Sequence, residues 1–191
     1  MRSVKHLVGP LGLGAVLWLS ACATSSAWTS GGTLREVEMA HDDGHPSERP
    51  ILPSGDFELL IKEEPNLAAY RPVRLRFLVA QPGRLLFHLY ETGPDGRPGK
   101  LIYTLSGVYS PAMTSNGSDG KWVVEALSGL PTLHGPIWLG VGVPDSSSEA
   151  RVWAAQNDSG HVFQRDTEPQ TALMSSPVHY TPMVRLVLEP Q

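Results

Sequence analysis

Val73-Arg74-Leu75-Arg76-Phe77-Leu78-Val79-Ala80-Gln81-Pro82-Gly83-Arg84-Leu85-Leu86-Phe87-His88-Leu89-Tyr90 decides the fold class of this chain. Val73, Leu75, Phe77 and Val79 alternate with Arg74 and Arg76, and a period of two sends successive side chains to opposite faces of a strand. Leu85, Phe87 and Leu89 repeat the pattern opposite Leu86, His88 and Tyr90. Gln81-Pro82-Gly83-Arg84, between the two runs, reads as a short hairpin loop.

The pattern extends outward. Phe57, Leu59 and Ile61 alternate with Glu58 and Lys62. Gly93-Pro94-Asp95-Gly96-Arg97-Pro98-Gly99 is too rich in Pro and Gly to continue a strand. Apolar runs follow at 101–105, 122–127, 137–143, 152–156 and 183–189, each bounded by turn residues, and no window holds a helical apolar stripe for ten residues. About eight short strands joined by short loops predict an all-β fold, an antiparallel two-sheet β-sandwich of Greek-key or jelly-roll type, with a closed barrel as the alternative.

The first residues read differently. Arg2 and Lys5 precede an uncharged stretch, 7–19, that ends at the small pair Ser20-Ala21, which is the order of a secretory signal. As a helix that stretch spans roughly 20 Å, short of the ~30 Å hydrocarbon core, so it is expected to be a signal and not a membrane span. Leu19-Ser20-Ala21-Cys22 resembles the lipobox of bacterial lipoproteins. The resemblance implies a diacylglyceryl thioether on Cys22, cleavage before it and acylation of the new amino group, with the lipid bilayer as partner. Each buried methylene adds about 0.8 kcal/mol, so two or three chains hold where one holds only marginally. Ala23 in place of aspartate resembles the class sorted to the outer membrane. The expected division is a signal peptide at 1–21, a lipidated N-terminus and flexible linker at 22–53, and the sandwich at 54–191. Residues 34–39 within the linker read equally as a first strand or a helical turn.

Composition narrows the function. Without residues 1–21 the chain keeps 13 basic and 19 acidic residues, a formal charge of −6, with its arginines scattered among acids. A phosphate-tracking surface needs clustered cations, so nucleic acid is not an expected partner. Cys22 is the single cysteine, so no intramolecular disulfide is expected and packing alone must hold the domain.

A second resemblance lies in Leu89-Tyr90, Asp95-Gly96-Arg97-Pro98-Gly99-Lys100-Leu101 and Ile137-Trp138-Leu139. Their order is similar to that of secreted bacterial β-sandwich modules of the choice-of-anchor and PEP-CTERM type, with Ile137 where tyrosine is usual. That likeness implies an extracytoplasmic sandwich and no catalytic residues.

The candidate sites are few. His41-Asp42-Asp43-Gly44-His45 supplies imidazoles and carboxylates suited to a transition metal, but a flexible linker gives no fixed geometry, so no metal and no cofactor is expected. Gln156-Asn157-Asp158-Ser159-Gly160-His161-Val162-Phe163 resembles an Asp-box hairpin and reads as a turn, as does Asn116-Gly117-Ser118-Asp119-Gly120. Trp122, Trp138 and Trp153 read as buried framework before sugar-stacking platform. No Gly-x-Ser-x-Gly, Ser-x-x-Lys or His-Glu-x-x-His motif is present. The expected function is a non-catalytic binding, adhesion or structural module of the bacterial envelope, with an envelope protein or glycan as ligand. A carbohydrate-binding module and a glycan hydrolase are the alternatives.

Overall fold

The computed structural model describes residues 35–46, 57–110, 122–145, 148–156, 160–166, 174–175 and 181–191; the signal, the lipobox and the turn at 116–120 lie outside them. The regular elements among the described residues are strands: β1 (Val37–Met39), β2 (Phe57–Glu63), β3 (Tyr70–Phe77), β4 (Val79–Gln81), β5 (Gly83–Thr92), β6 (Pro98–Tyr109), β7 (Val123–Ala126), β8 (Ile137–Gly142), β9 (Arg151–Val152), β10 (Ala154–Ala155), β11 (Val162–Asp166), β12 (Met174–Ser175), β13 (Thr181–Pro182) and β14 (Val184–Pro190). They build a four-stranded sheet, β1-β14-β3-β7, and a six-stranded sheet, β12-β11-β2-β8-β5-β6, joined by two short ladders, β4-β9 and β10-β13. Every pairing is antiparallel, and the architecture is the expected β-sandwich.

The period-two residues meet in the middle. Leu75 and Phe77 of β3 and Leu186 and Leu188 of β14 share one apolar cluster with Leu59, Ile61, Phe87, Leu89, Leu139 and Val141 of the six-stranded sheet. Phe77 and Phe87 touch from opposite sheets with ring centroids 4.5 Å apart, and Tyr109 sets its ring edge-on to Phe77 at 4.8 Å. Strand β8 is buried at every position. Ile137, Leu139 and Val141 enter the main core, while Trp138, on the other face, packs with Leu60, Tyr90 and Phe163 in a second cluster. A strand covered on both faces loses its polar alternation, which is why β8 reads as an unbroken apolar run.

Three local expectations change. Residues 81–84 do not close a hairpin, because β4 pairs with β9 while β5 pairs with β6 and β8; the segment crosses from one ladder to another sheet. Gly83 serves that crossing with φ +151°, and a Cβ there would lie 2.8 Å from that of Ala150. The break expected through Gly99 is a turn confined to 93–97, closed by Gly93 N–H donating to Arg97 O at 2.7 Å, with Gly96 at φ +77°. Pro98 then opens β6, where the first residue of an edge strand needs no N–H. Finally, Val37–Met39 is a strand and not a helical turn. It pairs with β14, so a strand of the four-stranded sheet lies inside the span assigned above to the 22–53 linker.

Where β3 gives way to β4, β9 to β10 and β13 to β14, three bends meet. Leu78 N–H donates to Met183 O (3.1 Å), Met183 N–H to Trp153 O (2.8 Å) and Trp153 N–H to Leu78 O (2.9 Å), a closed ring of backbone bonds. Each chain changes its pairing partner at this ring, so no bent amide there is left without an acceptor.

Candidate functional site

Glu58 lies on the outer face of the six-stranded sheet, yet its side chain is only 5% exposed. The register explains this. Leu60 pairs with Gly140 and Leu59 with Val141, so the neighbouring strand offers Gly140 and Gly142 beside Glu58 and leaves a furrow for the carboxylate. Three donors close over it. Oε1 accepts from His88 Nδ1 at 2.7 Å, Oε2 accepts from Arg165 Nη2 at 2.6 Å, and the Tyr90 hydroxyl donates at 3.0 Å to Oε2 and 3.3 Å to Oε1. Arg165 also lies over the Tyr90 ring, 4.5 Å from its centroid. Burial, and then the charge of Glu58, push the Tyr90 pKa far above its ordinary 10, so the hydroxyl remains a neutral donor.

A carboxylate accepts and does not donate, so the His88 proton sits on Nδ1 and leaves Nε2 as the ring nitrogen not engaged by Glu58. Glu–His is two-thirds of a nucleophile-activating relay, but no hydroxyl hydrogen-bonds to His88 among the described residues. Hydrogen bonds to both oxygens make this a closed network that fastens β2, β5 and β11 together.

A second polar assembly joins the sheets at the β1 edge. The Asp42 side chain is wholly buried and held by Arg185 through two bonds, Nε to Oδ2 at 2.9 Å and Nη2 to Oδ1 at 2.5 Å, while Arg185 Nη1 reaches Glu38 Oε1 at 2.8 Å. Glu38 also pairs with Arg76, and Glu36 with Arg74. Both Arg76 and Arg185 lie over the Trp122 ring, at 5.3 and 4.2 Å. His41, with its side chain 8% exposed, meets Glu63 Oε2 at 2.9 Å and stacks on His161 with ring centroids 4.6 Å apart. The Glu63 side chain is fully buried, and its Oε1 has no hydrogen-bond partner.

The residues singled out from sequence are thus dispersed. In His41-Asp42-Asp43-Gly44-His45, His41 turns to Glu63, Asp42 to Arg185, and Asp43 Oδ1 accepts from His45 N–H. No group of three or more His, Cys, Asp or Glu at metal-holding spacing exists among the described residues. The expectation that this stretch lacks fixed geometry gives way, because its partners on β2 and β14 fix it. The supposed Asp-box turn does not join a hairpin either, since β10 pairs with β13 and β11 with β2 and β12; residues 157–159 lie outside the described set. Trp138 is 2% exposed, Trp153 is half-buried beside the backbone ring, and Trp122 is half-buried under two guanidinium groups. An open depression of about 430 Å³ is lined by Gly83, Arg84, Pro144, Asp145, Ser148 and Glu149, mixing one cation with two acids.

Glu58, His88, Tyr90 and Arg165 escaped the sequence reading because they come from three strands far apart in the chain. The available signal was Gly140-Val141-Gly142, two glycines at period two in a central strand, which marks a close approach by a neighbour. No protein family, curated protein or solved structure matches the chain.

Proposed function

We propose that the protein is a lipid-anchored, non-catalytic module of the bacterial envelope, tethered through Cys22 and sorted to the outer membrane. Its sandwich holds or braces a partner outside the cytoplasm. The supporting observation is the seating of residues 35–46: the chain arriving from Cys22 is bolted to β14, β3 and β2 by the ion pairs of Glu36, Glu38, Asp42 and His41. A tether that bears load needs such a joint at the point where it enters the domain. The closed state of the Glu58 network favours a framework role over acid–base chemistry. Burial of Trp138 and the guanidinium cover on Trp122 leave neither ring as an open sugar platform.

The test is metabolic labelling with a palmitate analogue together with membrane fractionation. The native chain is expected to carry label and sediment with outer membranes, and Cys22→Ser to lose both. Label-free sedimentation of the variant would overturn the reading.

A further inference from the structure

His41 follows β1, at the edge of the four-stranded sheet, whereas Glu63 ends β2 and His161 immediately precedes β11, both in the six-stranded sheet. Lys62 N–H donates to His161 O at 3.0 Å, which fixes His161 beside β2. The imidazole pair and the carboxylate therefore form a joint between the two layers, and segment 35–46 closes it. We propose that this joint is a proton-gated latch, fastening segment 35–46 across the sandwich in near-neutral medium and loosening it in both acid and alkali.

The geometry supplies two opposed failure modes. Glu63 is fully buried with one oxygen unpartnered, and the adjoining Lys62 is tied to Glu64 at 2.6 Å. Loss of the His41 proton leaves a buried anion facing a neutral ring. Gain of a proton by His161 places a second positive charge against His41 at stacking distance. Among the described residues, the charged groups around the joint are Lys62 and Glu63 on β2, Glu64 just after it, Asp42 on the segment itself, already held by Arg185, and the Tyr70 phenol on β3, which senses the Glu63 charge.

The titration of the two rings agrees. Burial opposes charge on His41, but the hydrogen bond and charge of Glu63, backed by Asp42 and Glu64, outweigh it and hold its pKa above 6.5. Burial, followed by the charge of His41, holds His161 below 6.5. The His41 contribution is complete below 6.5 and is lost as pH rises through its folded value. The His161 contribution is complete above 6.5 and is lost as pH falls through its folded value, so both are present together only near 6.5. Opening would release Val37–Met39, leave Phe57–Glu63 as the first seated strand among the described residues and lengthen the connection to Cys22. That last consequence rests on the lipid-anchor reading; the latch does not.

Hydrogen exchange by mass spectrometry on the full chain in detergent, at pH 5, 6.5 and 8 with intrinsic rates divided out, tests the latch. Protection of residues 35–46 is expected to peak near 6.5 and to fall by up to about tenfold per pH unit on either side, while β5 and β8 stay constant. His161→Phe, which keeps an aromatic ring, should remove only the acid limb, and His41→Gln only the alkaline limb. Protection independent of pH in the native chain, or both limbs surviving in the double variant, would overturn the proposal. Cys22→Ser is expected to leave the profile unchanged, so a failed anchor and a failed latch give different results.

Discussion

Gly140 lies so close to Glu58 that a Cβ at residue 140 would overlap the Glu58 carboxylate. The furrow and its occupant are matched, and Gly140→Ala is expected to cost about 1–3 kcal/mol through forced displacement of the carboxylate from its three donors. In a Glu58→Ala background the same change should cost less than about 0.5 kcal/mol. Urea unfolding of the four proteins of the cycle measures the coupling, and additive costs would separate the two residues.

Arg185 carries two acids and one face of Trp122. Arg185→Gln leaves the wholly buried Asp42 side chain without a cation, a loss of about 3–5 kcal/mol for a buried pair broken on one side. Removal of the guanidinium from the ring should also change Trp122 emission. Trp122→Phe in the same background identifies that signal, and an unaltered spectrum would remove Arg185 from the ring environment.

Among the described residues β6 pairs only with β5, and it exposes Leu101 at 47% and Val108 at 65%. Its one charge is Lys100. Long apolar edges recruit other strands, so Val108→Lys is expected to reduce association at high concentration while changing stability by less than about 0.5 kcal/mol. Light scattering against concentration reads the first effect and urea titration the second.

Alkaline unfolding should be abrupt. Tyr70, Tyr90 and Tyr109 are all held above the ordinary phenol value of 10, chiefly by burial, with Tyr109 pushed up to about 12. A raised folded pKa gives stability that is whole below 10 and is lost as pH climbs beyond it, and three such groups add their slopes. Phenolate absorbance and circular dichroism recorded together should change in one transition above pH 10. Ionisation of all three in a chain that stays folded would contradict the burial argument.

Much of the fold is legible in the chain because a period of two is a local signal. Phe57 to Ile61, Val73 to Phe77 and Leu85 to Leu89 carry it without interference, and each is a strand. The signal does not say which strands pair. Gln81-Pro82-Gly83-Arg84 has the composition of a hairpin, yet the partner of β4 lies about seventy residues downstream. Nor does alternation separate solvent from a crowded outer face: Glu58 and Tyr90 sit at outward positions and are buried there, because large side chains on neighbouring strands, Trp138, Leu60 and Phe163 among them, pack side by side on that face. His41 and Asp42 read as solvated linker residues, since the arginine and glutamate that fix them enter from β14 and β2.

The position of β14 between β1 and β3 imposes a timetable on synthesis. Phe77 is made long before Val184, its partner, exists, and at ~5–20 residues per second the wait is roughly 5–20 s. During that interval the four-stranded sheet lacks a central member and the Leu78–Trp153–Met183 ring cannot close. The six-stranded sheet can pair β2, β5, β6 and β8 as soon as Gly142 is made, whereas the four-stranded sheet waits for the last strand, so the two layers of the sandwich are completed at different times.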